Sequence, residues 1–403
     1  MTQKPVDQNS IWTFHSQVQG VANAVAELLS DAIGEQDEAL LAMLQTELRT
    51  VREWILGNKQ PPKVVFEKLE SIRQQIENIE HRGVQDALTI LQGQARGLVS
   101  IAGQHAANEI QSALMNERNI RRKSFKTELT DREIKNMLDY KPFVDGKTIQ
   151  QWFGDLEYKI SSRIFHSVQK GIVEGMTLNS VMQTIRGTEG FKPGVLKTNR
   201  LSAEILARTT INAVANQSRL EIYRANADGI DGVQWLATLD HRTCIICGSY
   251  DGRIWSQDKL YEVKVPPAHP NCRCVLIPYI DLGDGIDADG NSRPAEAENF
   301  DLLAKTKYEA NPNAKKNYNE LSHEYRRKLR YAAMEECRHK TGKSPYRQVK
   351  GDMTFADYLK TQSVSFQREW LGKTRFALYQ SGKLALDQMV RPDSGFKRTV
   401  EEL

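Results

Sequence analysis

Cysteine is scarce in this chain, five in 403 residues, and four of the five fall between positions 244 and 274. An odd number over so long a chain does not make a disulfide framework. The opening residues Met1–Ser10 are polar and hold no apolar core segment, so the sequence predicts no secretory leader and a soluble, cytosolic protein. Long apolar runs are missing as well. Stretches such as ALLAML at 39–44 fall far below the roughly 20 residues a membrane span requires. Neither sign of charge is in excess: 55 Lys and Arg face 51 Asp and Glu, a net of +4, so nothing forces a nucleic-acid reading of the whole chain. The length suffices for two or three domains with their own cores.

What is present, first, is helical periodicity. Leu40, Leu44, Leu48, Val51 and Ile55 recur at threes and fours within a stretch running from Val21 to Ile55, one apolar stripe among charges. Gly57-Asn58 and Pro61-Pro62 end it. Phe66, Leu69, Ile72, Ile76 and Ile79, continued past Gly83 by Val84, Leu88 and Leu91, predict a second helix, read as part of a bundle core rather than an oligomerising coiled coil. Thr130 with Glu133 fits a capping box. Helices are expected over Ile149–Val173, Leu178–Ile185 and Ser202–Ala225, with Arg208 in the last read as a surface charge. After Gly229 the pattern changes to strands: 232–239, 253–255 and 273–279.

The strands enclose the densest chemistry. Cys244 and Cys247 form C-x-x-C; His269, Cys272 and Cys274 follow as H-x-x-C-x-C. Structural zinc takes four Cys or His ligands in close pairs, each pair closing through a tight turn. Gly248 would end the first turn with a positive φ, and Pro266, Pro267 and Pro270 would stiffen the second. Cys272 is the favoured fourth ligand, because His269 to Cys272 repeats the first spacing; Cys274 is the alternative. Five candidates exceed what one ion can use, which favours a closed structural knot over a catalytic site with an open position. Asp240 and Arg242 are read as braces of the first turn. A nuclease would need a free general base, and His241 is the nearby histidine zinc does not claim.

The motifs A-R-T-T-I-N at 207–212, W-x-x-T-x-D-x-R-T-C-x-x-C from Trp235 to Cys247, D-G at 251–252 and P-P-A-H-P-N-C-R-C at 266–274 resemble the phage head morphogenesis family, the Mu F-like minor head proteins of tailed bacteriophages. The similarity resumes at Phe355–Arg375 and Ser381–Leu386 and does not cover the first part of the chain. It implies a virion protein without enzymatic activity, made in the host cytoplasm. It would sit in the capsid interior or at the portal vertex and act in head (procapsid) assembly, with a part in DNA packaging or delivery left open. Its partners would be the portal protein, the major capsid or scaffolding protein and packaged DNA, with no membrane. The alternatives are a zinc-dependent nuclease and a zinc-finger DNA-binding protein.

The expected fold class is α+β, predominantly α-helical, with a small β-hairpin or sheet in the central domain pinned by a Cys/His zinc knot. Four segments follow: an N-terminal helical domain 1–128, the Mu F-like domain with the zinc site 129–280, an acidic glycine-containing linker 281–300, and a C-terminal helical domain 301–403. Asp287–Asn291 in the linker imitates a calcium loop but has Ser292 where that loop needs Gly, so a solvated hinge is expected. Two basic clusters, 116–126 and Tyr325–Arg330 with Lys315, Lys316 and Arg338, suit helix surfaces, with nucleic acid or an acidic partner as the alternative. Tyr318, Tyr325 and Tyr331 interleave the second. Cys337, beside His339, is read as a small core residue.

Overall fold

Apolar residues three and four apart build most of this molecule, and the strands are few and short. The structure, a computed structural model, describes residues 7–57, 59–114, 125–139, 146–188, 192–280, 292–297, 299–314, 316–321, 323–342, 345–391 and 397–403. The elements in order are α1 (Gln8–Gly34), α2 (Asp37–Leu56), α3 (Pro62–Leu114), α4 (Asp131–Asp139), α5 (Ile149–Val173), α6 (Leu178–Arg186), β1 (Gly187–Thr188), β2 (Lys192–Pro193) and α7 (Val195–Ala225). Then come β3 (Gly232–Leu236), α8 (Ile245–Tyr250), β4 (Ile254–Ser256), β5 (Val275–Tyr279), β6 (Ser292–Glu296), α9 (Phe300–Glu309), α10 (His323–Thr341) and β7 (Tyr346–Lys350). α11 (Phe355–Thr361), α12 (Val364–Leu371) and α13 (Lys373–Gln380) complete the chain. Mostly helical with small antiparallel sheets, it is an α+β protein, as expected. No helix among the described residues is long and apolar enough to cross a membrane.

The chain forms two compact units. One comprises Val18–Val99 and Thr130–Val214; the other Met1–Gln17, Ser100–Leu129 and Ala215–Leu403. The long helices α1, α3 and α7 therefore each give residues to both.

The first unit is a helical bundle. The stripe Leu40, Leu44, Leu48 and Val51 of α2 is buried against Ile72 and Ile76 of α3, Ile164 and Val168 of α5, Val181 and Ile185 of α6 and Leu196 of α7. The 66–79 seam thus joins a bundle core, although Phe66 at its start is exposed. The stretch read as one helix from Val21 to Ile55 is two, separated at Glu35–Gln36, whereas Gly83 interrupts nothing: α3 runs straight through it. Thr130 and Glu133 form the expected reciprocal cap, with the Thr130 N–H donating to the Glu133 carboxylate at 2.9 Å and the Glu133 N–H to the Thr130 hydroxyl at 3.4 Å. Thr148 and Gln151 cap α5 in the same way. Arg208 pairs with Glu204 on its own helix at 2.9 Å and donates to Asn23 at 3.1 Å.

In the second unit β4-β3-β5 form an antiparallel sheet in which Val233 faces both Trp255 and Pro278. Leu236, Val275 and Ile277 pack on Ile11, Trp12 and Ala113. α7 fixes the sheet's last strand by its side chains. Asn216 donates to the Cys274 carbonyl at 3.1 Å and accepts from the Leu276 N–H at 2.8 Å. Arg219, fully buried, donates to the Leu276 carbonyl at 3.0 Å and pairs with Glu109 at 2.7 Å, which also accepts from Tyr223 at 2.7 Å. Most of the polar atoms of this buried ion pair are met in this way, which offsets the cost of taking its charges out of water; Arg219 Nη1 alone among them has no hydrogen-bond partner.

Residues 292–296, placed by the sequence in the acidic linker, form β6 and pair antiparallel with β7, a strand that periodicity did not reveal. The linker stretch 281–291 with its calcium-like run, the basic stretch 116–124, Lys315 and the first six residues lie outside the described residues. Cys337 packs with a cluster of Phe300, Ala304, Tyr318, Ala333 and Met334, as a core residue should. In the second basic run Arg330 is buried, so it is no surface cation, while Tyr325 and Tyr331 are exposed.

Candidate metal centre

Cys244, Cys247, His269, Cys272 and Cys274 come together between β3 and β5. The ligand atoms of Cys244, Cys247 and His269 lie within 4.8 Å of one another, and so do those of Cys247, Cys272 and Cys274. Cys247 belongs to both groups. Its sulfur is 3.1 Å from His269 Nε2 and 3.6 Å from the Cys272 sulfur. With metal–sulfur bonds of about 2.3 Å, tetrahedral zinc would hold two sulfurs roughly 3.8 Å apart and a sulfur and a nitrogen slightly closer, so the donor set fits such an ion. All four thiols are free of disulfides, and Cys247, Cys272 and Cys274 are buried.

Local structure sets these positions differently from expectation. The C-x-x-C is the N-terminus of helix α8, not a turn closed by a left-handed glycine. Cys244 is the N-cap and its sulfur accepts from the Cys247 N–H at 3.5 Å. Gly248 lies inside α8 and has ordinary φ; the left-handed position is Gly252, at φ +83°. Gly248 is needed for packing instead, because a Cβ there would stand 2.7 Å from the Phe355 ring. In the second half, Asn271 takes φ 58° and Cys272 and Cys274 precede β5 rather than lie in it. The His269 ring also meets the Pro270 carbonyl at 2.8 Å, the kind of contact that fixes a ligating imidazole's orientation.

The thiols divide unequally. A hydrogen bond with Cys247, helped by His269, holds Cys244 down at about 4, whereas hydrogen bonds with Cys244 and Cys272 push Cys247 well up. Burial opposes ionisation of Cys272, yet hydrogen bonds with Cys247 and Cys274 and the nearby His269 hold it low; burial raises Cys274. Sulfurs this close cannot all be thiolates unless a cation lies among them, and a divalent ion would supply that charge.

Around the cluster lies a shell of charged residues, and most of them were not visible as such in the sequence. Asp240, fully buried, accepts from both Arg273 guanidinium nitrogens at 2.6 and 2.7 Å and from the Arg242 and Thr243 amides at 3.0 and 3.1 Å. It braces the first turn, as read, but its partner is chiefly Arg273. Burial works against its ionisation and Arg273 outweighs it, so its carboxyl falls below the usual range. His241 is not a free base. Glu296 Oε2 lies 2.6 Å from its Nδ1, and Asp301 sits on its Nε2. Burial lowers its proton affinity, but these two carboxylates prevail and push it up to about 9, so at neutral pH it is an imidazolium with no ring nitrogen free to accept a proton. His15, from α1, is the converse: burial first, then Arg273 and Arg219, lower it to about 4 and keep it neutral.

The C-terminal part of the chain is fastened to this loop. Arg293 of β6 donates to Asp251 at 2.8 Å and to the Met353 carbonyl at 2.6 Å; both side chains of the pair are buried. Asp251 further accepts from the Phe355 and Ala237 amides, each at 2.6 Å. The Trp370 indole donates to the Thr243 carbonyl at 2.6 Å, and Ser249 to the Leu386 carbonyl at 2.7 Å. Asp251-Gly252, visible in sequence as a bare D-G, is thus the hub that joins the loop between α8 and β4 to β6 and α11.

No curated protein and no solved structure matches the chain. Residues 162–277 match the family model described as Phage Mu protein F like protein. The likeness read from the sequence motifs is thus met over this stretch, which carries every residue of the Cys/His cluster; the motifs at 355–375 and 381–386 lie outside it.

Proposed function

We propose that the protein is a structural minor head component of a tailed phage, working in procapsid assembly near the portal, with a zinc ion as a structural staple of its central domain. The observation that carries the reading is the coincidence of the Mu F-like match, 162–277, with a largely buried Cys/His cluster whose donors suit tetrahedral zinc. Cys244, Cys247, His269 and Cys272 would hold the ion, with Cys274 as the alternative to Cys272, and it would supply cross-linking rather than chemistry. On this reading the functional domain spans 129–280, the protein is not an enzyme, and its place is the capsid interior or portal vertex after assembly in the host cytoplasm. Its partners would be the portal protein, the major capsid or scaffolding protein, and packaged DNA.

The nuclease alternative loses its best base, since His241 is held as an imidazolium between two carboxylates. Two measurements test the proposal. Purified protein should contain one zinc per chain, lost in Cys244→Ser and His269→Ala together with a lowered unfolding temperature. From infected cells, the tagged full-length chain should co-purify the portal or the major capsid protein. Absence of zinc would remove the staple; co-purification of neither head protein would remove the assembly role.

A further inference from the structure

α12 has two faces with different duties. Phe366 and Leu371 are buried, and Trp370 ties the helix to the Thr243 carbonyl beside Cys244. The outer face carries Val364 and Arg368, and Ser365 and Glu369, each pair four residues apart and so in line along the helix. With Lys305 of α9 and Lys373 at the start of α13 these residues line an open cleft of about 560 Å³.

The charge in this cleft is unbalanced. Several other cations of the C-terminal part are paired: Lys307 with Glu336, Arg338 with Glu335, Lys360 with Asp357 and Arg391 with Glu402. Lys305, Arg368 and Lys373 make no ion pair among the described residues, and the cleft's one carboxylate, Glu369, makes none either. Val364 adds apolar surface at the rim, 60% exposed.

We infer that this cleft binds an acidic peptide segment of a partner protein. Arg368 offers a planar fork for one carboxylate, and Lys305 and Lys373 offer point charges for two more. Val364 would meet an apolar side chain between them, and Glu369 with the Ser365 hydroxyl would accept from peptide N–H groups. A nucleic-acid strand fits less well. No aromatic ring lines the cleft to stack a base. Because α12 is bolted to the loop of Cys244, a peptide seated here would be held rigidly to the Cys/His segment. The inference goes beyond the head-assembly reading and does not depend on it, since binding is measured on the purified protein.

The test uses the full-length chain and a fluorescein-labelled twelve-residue peptide of Glu, Asp and two Leu, followed by fluorescence polarisation at low and high salt, with a twelve-nucleotide oligothymidylate as rival probe. Peptide binding should weaken with salt, and Arg368→Glu and Lys373→Glu should each weaken it about 10-fold, since each turns an attraction into a repulsion. Glu369→Gln should tighten it by roughly 3-fold, while Lys383→Glu, an exposed charge reversal outside the cleft, should change it by less than about 2-fold. All four positions are exposed, so unfolding temperatures should stay level and report that the fold is intact. Failure of the peptide to bind at low salt, an equal loss in Lys383→Glu, or tighter oligothymidylate binding that Arg368→Glu abolishes would overturn the proposal.

Discussion

Single residues decide which atoms could hold the ion and how the fold answers to pH. Cys247 is common to both groups of close donors, so Cys247→Ser should abolish zinc retention whichever of the last two cysteines ligates. Cys274→Ser should leave one zinc per chain if Cys272 is the fourth ligand, and lose it if Cys274 is; zinc content by mass spectrometry after gel filtration separates the cases. Glu80 of α3 bears on pH instead. It is buried, and burial first, then the nearby charge of Asp37, push its carboxyl up from an ordinary 4.5 to about 8. Arg200 does not relieve it, because that guanidinium is bound to Asp37. The folded chain therefore holds this proton more tightly than the unfolded chain, and the stability it contributes is complete below about pH 4.5 and falls as pH rises through 8. Glu80→Gln should remove that loss. With each tenfold in proton affinity worth about 1.4 kcal/mol, the variant should exceed the wild type by roughly 2–4 kcal/mol at pH 8 and by little at pH 5. Urea midpoints at the two pH values measure it; parallel loss of stability in both proteins would sink the idea.

At the scale of elements, close approach between helices matters as much as apolar stripes. Gly171 near the end of α5 would place a Cβ 2.3 Å from Val181 Cγ2 of α6. Alanine is the better helix former by about 1 kcal/mol, yet Gly171→Ala should destabilise the bundle by about 1–3 kcal/mol because the clash outweighs propensity. Adding Val181→Ala should return part of it, and thermal unfolding of the single and double variants shows whether it does. The bounds of α5, the capping box of α4 and the buried stripe of α2 were all legible, because each is written in residues within four positions of one another. The same holds for the Cys/His spacing. What was not legible depends on distant partners. β6 lay in a stretch read as a hinge since Arg293 and Glu296 look like solvated charges until Asp251 and His241 are seen to bury them. α8 was read as a turn since nothing in C-x-x-C-G announces that Phe355, over a hundred positions on, requires the glycine.

For the whole molecule, the cluster's donors come from a short stretch while the contacts that depend on it reach much further. Cys274 leads into β5, which Asn216 and Arg219 of α7 hold by its backbone; the loop of Cys244 carries Trp370 through Thr243, and Asp251 carries Arg293 and Phe355. A metal ligated here would thus be linked to most of the unit that contains Ala215–Leu403. The helical bundle draws its core from Leu40, Leu44, Ile72, Ile76, Ile164 and Val168, none of which depends on those contacts. Because binding energy at a structural zinc site is folding energy, chelation should loosen one unit selectively. Hydrogen exchange before and after treatment with EDTA should show faster exchange over 232–280 and 345–391, by at least about 10-fold if the opening free energy drops by some 1.4 kcal/mol, with 40–51, 72–91 and 153–168 keeping their protection. Exchange that accelerates evenly along the chain would mean that the two units open together and that the ion stabilises the bundle as much as the sheet. Exchange unchanged everywhere would mean that the shell of Asp240, Arg273, Asp251 and Arg293 holds the segment without any ion.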